Sequence, residues 1–300
     1  MRGFSLVEML VAAAMVVALA GTMIELARGA RAASSAVGDM ADVQQKLRVA
    51  ADAIQHDLLL AGAGGIAAGA GSLAGYLPPI RPSAGLRDDT DVTFGIDRIT
   101  VLWIPLTEAE ADVTAPTEST TALPIGNGIS CAIVATCGFE SGMQAIVFDR
   151  GGPGLGYDVF TVGDASPGWI SRSSGEGSFS RQYSPTAHIG EVVHHTYYLD
   201  RSDPANSRLM RGDGRTAFPL VDGVRNLRFT YYSHLAELAA ADLTDGPFWG
   251  VAPNRFDADL LRIRRVRVHL EVASLPAPHH PSSSLELSLD VTPRNLNLSR

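Results

Sequence analysis

From Phe4 to Ile24 the chain runs through about 21 residues in which the only charged side chain is Glu8. A helix needs roughly 20 apolar residues to cross a bilayer, so this stretch has the length of a membrane span. An ionised carboxylate well inside hydrocarbon costs roughly 2.5 to 3.5 kcal/mol, and a lone acid in such a segment therefore needs a partner and marks a functional position. Three simpler readings of the same residues exist. Ser5-x-x-Glu8 fits a helix capping box, in which hydroxyl and carboxylate each satisfy a free backbone donor, and this is compatible with any other role of Glu8. A plain single-span anchor has the same length. A secretory signal needs a basic start, a short apolar core and a small-residue cleavage site beyond it, and here the acid interrupts the core.

No proline occurs between Phe4 and Leu60, and after Glu8 the next charge is Glu25. This predicts one helix over 4–60, about 85 Å long at 1.5 Å per residue, with its first half apolar all round and its second half amphipathic. Val43, Leu47, Ala50, Ile54 and Leu58 recur at three- and four-residue spacing and form a stripe that should pack on a folded body. Asp39, Asp42, Gln45, Lys46, Arg48, Asp52 and Gln55 occupy the polar side. Residues 61–90 read as a Gly- and Pro-rich linker. The glycines of Ala61–Gly75 follow a helix and precede Pro-rich Tyr76–Pro82, whereas a dinucleotide fingerprint needs a strand before and a helix after.

Residues 91–300 read as a β-rich head. Ile99–Ile104, Ala145–Phe148 and Tyr157–Val162 are apolar strand candidates, and Val192–Leu199, Arg208–Arg211 and Val224–Tyr232 follow at short intervals, as in an antiparallel meander. Val266, Val268, Leu270 and Val272 alternate with polar residues, as do Leu285, Leu287, Leu289 and Val291, so each strand has one apolar face. Ile263 lies on the opposite parity from Val266, which predicts a β-bulge near Arg264 and Arg265. A membrane helix plus one ordinary domain fits 300 residues, and the mean hydropathy of +0.10 reflects the apolar N-terminal helix. The net charge of -8 argues against a general nucleic-acid surface, which needs clustered Lys and Arg.

The two cysteines, Cys131 and Cys137, are separated by five residues. Outside the cytoplasm such a pair can close a small disulfide loop, and free thiols are the alternative. A zinc site needs more ligands than this neighbourhood offers. His194 and His195 are adjacent in a predicted strand, so they point to opposite faces, one packed and one wet, and cannot share a metal. His279 and His280 fall in a Pro-rich loop. Arg211-Gly-Asp213 is built of ordinary turn residues, and Asp200, Asp203 and Asp213 lack the regular ligand spacing of a calcium loop. No nucleophile elbow or assignable acid pair is present, so neither catalytic residue, metal nor cofactor is expected.

Gly3-Phe4-Ser5-Leu6-Val7-Glu8, ahead of an aliphatic helix, resembles the processing site of type IV prepilins and pseudopilins. The resemblance implies a leader of residues 1–3, cleavage by prepilin peptidase between Gly3 and Phe4, and methylation of the Phe4 amine. It also implies that Glu8 is neutralised by the amine of a neighbouring subunit as the filament assembles. The body, from Tyr197-Tyr-Leu through Phe218–Tyr231, is similar to large minor pilins and to the J-type minor pseudopilin of type II secretion. Asp57-Leu-Leu-Leu-Ala-Gly62, with Leu59 where an arginine is usual, and Leu289–Leu296 are similar to PilW-like minor pilins. The implied fold is α+β and pilin-like. The implied partners are prepilin peptidase, other minor pilins, the major pilin, a tip adhesin and the inner membrane, with the head periplasmic before export to the pilus. A J-type pseudopilin is the alternative, and a membrane-anchored extracytoplasmic enzyme the rival of another class.

Overall fold

The computed structural model describes residues 5–64, 73–82, 95–107, 109–116, 121–151, 156–185, 187–250, 254–274 and 283–297. In chain order the elements are helix α1 (Leu6–Leu60), then β1 (Ile80–Arg81), β2 (Arg98–Trp103), β3 (Glu110–Val113), β4 (Ala122–Gly126), β5 (Gln144–Phe148) and β6 (Tyr157–Ser166). There follow β7 (Trp169–Arg172), β8 (His188–Glu191), β9 (Val193–Asp200), β10 (Arg208–Gly212), β11 (Ala217–Asp222) and β12 (Val224–Tyr232). The last are β13 (Glu237–Leu238), β14 (Phe248–Trp249), β15 (Phe256–Asp257), β16 (Arg265–Ala273) and β17 (Ser284–Val291). The mixed α+β class expected from the sequence is what is observed.

Helix α1 runs unbroken for 55 residues, about 80 Å. It stops where the chain turns at Gly62, whose positive φ of 70° suits a residue without a Cβ. A side chain there would press on Ala74, Pro79 and Leu296 at 3.1 to 3.3 Å. The Gly62 amide instead donates to the Leu102 carbonyl at 3.0 Å, which ties the helix end to β2. The expected stripe packs as read: Val43, Ala50, Ile54 and Leu58 are fully buried, and Leu47 packs against the same core. The stretch read as a linker contributes Leu73, Leu77 and Ile80 to that core, and β1 pairs with β2.

Two antiparallel sheets flank this core, a five-stranded one in the order β1-β2-β9-β10-β11 and a four-stranded one in the order β13-β12-β16-β17. Helix α1 crosses the five-stranded sheet obliquely. Lys46 meets Asp222, in the row that β-pairing extends to Arg208 and Asp200, and Asp57 meets the row of Arg211 and Tyr197. The meander therefore holds only for β9, β10 and β11. Strand β12 leaves it and pairs with β16, because Gly223, with a φ of 71°, turns the chain into the second sheet. At the expected bulge the Arg264 amide donates to the Tyr232 carbonyl at 2.8 Å while Arg265 is the residue paired with Tyr232, so two residues face one there. Ile263 caps the short 3₁₀ turn Ala258–Arg262, so its phase is set by that turn, and β16 starts in register at Arg265. A second irregularity in this pairing lies at the other end, between Val224 and Asn226.

Strands β2 and β9 are direct neighbours, with Trp103 opposite Val193. The chain between them forms a closed six-stranded barrel in the order β3-β4-β7-β6-β5-β8, a module that the sequence reading did not foresee. Strand β5 shows why its residues read as a continuous apolar run: Ala145 and Val147 point into the barrel core, while Ile146 and Phe148 point out and join the main core with Tyr157. Period-two alternation is present, but both faces are buried.

Candidate functional site: the N-terminal helix and its seat on the head

Gly3 and Phe4 lie outside the described residues; Ser5 is the first one placed, and it caps α1. The Val7 amide donates to Ser5 Oγ at 3.2 Å, and the Ser5 amide donates to Glu8 Oε2 at 2.9 Å. The capping box read from the sequence is thus formed, and it satisfies donors at a helix end that have no partner within the helix. Leu6, Val7, Met9, Leu10, Val11, Met15, Val16, Val17, Leu19, Met23 and Ile24 are all exposed. This part of α1 is long and apolar enough to cross a membrane, and none of it is buried on the head. Glu8 therefore sits, exposed, at the start of an uncovered apolar surface.

At the other end of α1 the chain buries a second acid. Asp57 lies on the packed face, one turn from Ile54, and is fully enclosed. Its Oδ2 accepts from Tyr197 Oη at 2.5 Å and lies 2.7 Å from His195 Nδ1 and 3.4 Å from Arg211 Nη2. Burial first, and then the Asp57 charge, push the Tyr197 phenol well above its ordinary range, so it stays a donor. His195 Nδ1 also lies 2.8 Å from Arg211 Nη2. As N–H it donates to Asp57; without that proton it accepts from Arg211, so either tautomer is matched. The cluster is a polar lock between helix and sheet.

His195 is therefore not the solvent-facing histidine expected from the strand pattern. Its ring is largely enclosed and packs edge-on to Trp103, with centroids 5.0 Å apart. His194 points to the opposite face, as expected, and is buried against Gly214, where a Cβ would collide with the imidazole. Burial, then the neighbouring His195, lowers its pKa to about 4 despite the opposing Asp213. Arg211 is committed to the Asp57 lock, so the Arg-Gly-Asp tripeptide does not present its guanidinium as a free tip. Asp213 accepts from the amides of Arg215 and Thr216 in a tight turn. Asp200 and Asp203 similarly accept from Ser202 and Ala205.

Cys131 and Cys137 form a disulfide in the barrel. The loop that it closes lays Ile133 and Val134 on the surface, beside Ile129. Gly168 donates to the Ala135 carbonyl at 3.3 Å, which brings the exposed Trp169 alongside. Among the described residues no three His, Cys, Asp or Glu side chains converge as a metal site. His279 and His280 lie outside the described residues.

No family model, curated protein or solved structure matches the chain. The site residues that the sequence reading did not assemble are Tyr197, His195 and Arg211. One signal pointed to them: Asp57 falls on the stripe of Ala50, Ile54 and Leu58, where a carboxylate must find buried donors.

Proposed function

We propose that the chain is a minor subunit of a type IV pilus-type filament, of the PilW-like kind, anchored in the inner membrane by the first half of α1. It acts structurally, at or near the filament tip, after prepilin peptidase has cut between Gly3 and Phe4. The observation that carries this reading is a lone carboxylate at the start of an apolar helix half that the head leaves wholly uncovered, on the same unbroken helix whose second half is seated in the head. The capping pair holds Glu8 at the helix start, where the new amine of a neighbouring subunit can reach it. The arrangement suits subunits that exchange lipid for one another's helices, with lateral contacts made by the head.

Two measurements test the proposal. Mass spectrometry of the mature protein should find a methylated Phe4 terminus, and an intact Met1 in assembled material would refute it. Glu8→Ala should insert, be cleaved and keep a folded head, yet fail to co-purify with the other minor pilins. Wild-type assembly by that variant reduces Glu8 to a helix cap.

A further inference from the structure

A cavity of about 530 Å³ opens where the two sheets meet, between the segment leading into β2, the end of β9 and strand β12. Among the described residues its lining brings three guanidiniums together, Arg98, Arg201 and Arg228, against one carboxylate, Asp97. In a chain of net charge -8 this is a local excess of positive charge, and a recessed one focuses its field on whatever enters. Asp97 does not neutralise all three. Its Oδ2 pairs with Arg201 Nη1 at 2.7 Å, while its Oδ1 lies 3.7 Å from Arg98 Nε, beyond hydrogen-bond reach. That Nε is buried without an acceptor. Arg228 is exposed and forms no ion pair with any described residue. Gly95 makes room for this arrangement: a Cβ there would lie 2.6 Å from both Cγ and Nε of Arg98, so the arginine folds across the space that a side chain would fill.

We propose that this cavity binds a small hydroxy acid. A guanidinium presents paired N–H donors that match a carboxylate in two-pronged fashion, and Arg98 and Arg228 are the two not hydrogen-bonded to Asp97. Asp97 stays in the wall as an acceptor and Asn226 adds an amide, so the rest of the ligand must bring hydroxyl donors. Ile96, half exposed at the rim, offers an apolar surface for a carbon skeleton. A phosphate dianion satisfies the guanidiniums but sets twice the charge of a carboxylate against Asp97 and brings it one hydroxyl rather than several. This inference does not depend on the filament reading.

The test is calorimetric titration of the full chain in detergent with D-glucuronate, with glucose and inorganic phosphate in parallel. Glucuronate should bind saturably at one site, glucose should give no heat, and phosphate should bind more weakly. Loss of one charge-assisted contact in Arg228→Gln should weaken glucuronate by at least roughly tenfold without changing the melting temperature. Gly95→Ala, which displaces Arg98, should weaken it in the same direction. Absence of glucuronate binding, or unchanged binding by both variants, overturns the site. Phosphate binding as tight as glucuronate, or glucose binding at all, overturns the hydroxy-acid assignment.

Discussion

At the scale of single residues the strongest constraints are buried polar groups on the five-stranded sheet. His194 binds a proton only near pH 4 when folded, against 6.5 for an unperturbed histidine. The unfolded chain therefore takes up more protons between those values, and stability falls as pH drops from about 6.5 towards 4, by up to about 3 kcal/mol. His194→Phe, which cannot titrate, should flatten much of the slope of melting temperature between pH 7 and 5. Some slope should remain from His188, whose pKa burial also lowers while Asp112 opposes and Arg150 assists that shift. An unaltered slope in the variant would show that His194 is not the group responsible. The Asp57 lock gives a graded pair of outcomes. Tyr197→Phe removes one donor and should cost about 1 to 2 kcal/mol in urea unfolding. Asp57→Ala leaves the enclosed Tyr197 and His195 without their shared acceptor and should cost more, about 2 to 4 kcal/mol. Equal losses for the two variants would argue against Asp57 as the centre of the cluster.

At the scale of elements, helix α1 carries an uncovered apolar half and a packed half in one rod. Ile54 is wholly buried at the centre of its packed stripe, and Ile54→Ala should cost about 2 to 5 kcal/mol, because the strands packed on α1 close only part of the space left behind. The same change at Val37, which is exposed on the uncovered part, should leave head stability unchanged. In the barrel, the disulfide closes a short loop, worth about 2 kcal/mol on the chain-entropy model. Reduction should lower the free energy of urea unfolding by that amount, and Cys131→Ser with Cys137→Ser should then be insensitive to reductant. Both thiols should resist alkylation until reduced; labelling of unreduced native protein would contradict the bond.

At the scale of the whole molecule, the first core residue of α1 is Val43, and the residues before Ser35 are exposed where described, so they add little to the stability of the body. A chain beginning at Leu26 should remain folded and need no detergent, with a urea midpoint matching that of the full chain. Failure of that truncation to fold would mean that the apolar half supports the head. The barrel is different, for Ile146, Phe148 and Tyr157 reach out of it into the main core. It is inserted at one point of the chain but shares its packing with the rest.

Much of this was legible in residue order because it rests on local periodicity. The 3.6-residue stripe from Val43 to Leu58, the capping box at Ser5 and Glu8, and the alternation in β12, β16 and β17 are repeats within one element, and each element formed about where the pattern lies. The cysteine pair was close enough in sequence to suggest its own bond. What only the tertiary structure decided joins residues far apart in the chain. Strand β5 looked like any apolar run because both its faces are buried, so nothing local distinguished a barrel wall from a sheet centre. Asp57 carried a local warning, but its partners lie about 140 residues away. The Arg98, Arg201 and Arg228 cleft gathers three segments that each look solvent-facing alone. Periodicity records which face of an element avoids water; which other element covers that face depends on loop paths and on the partners that reach it, and those are settled only when the chain closes on itself.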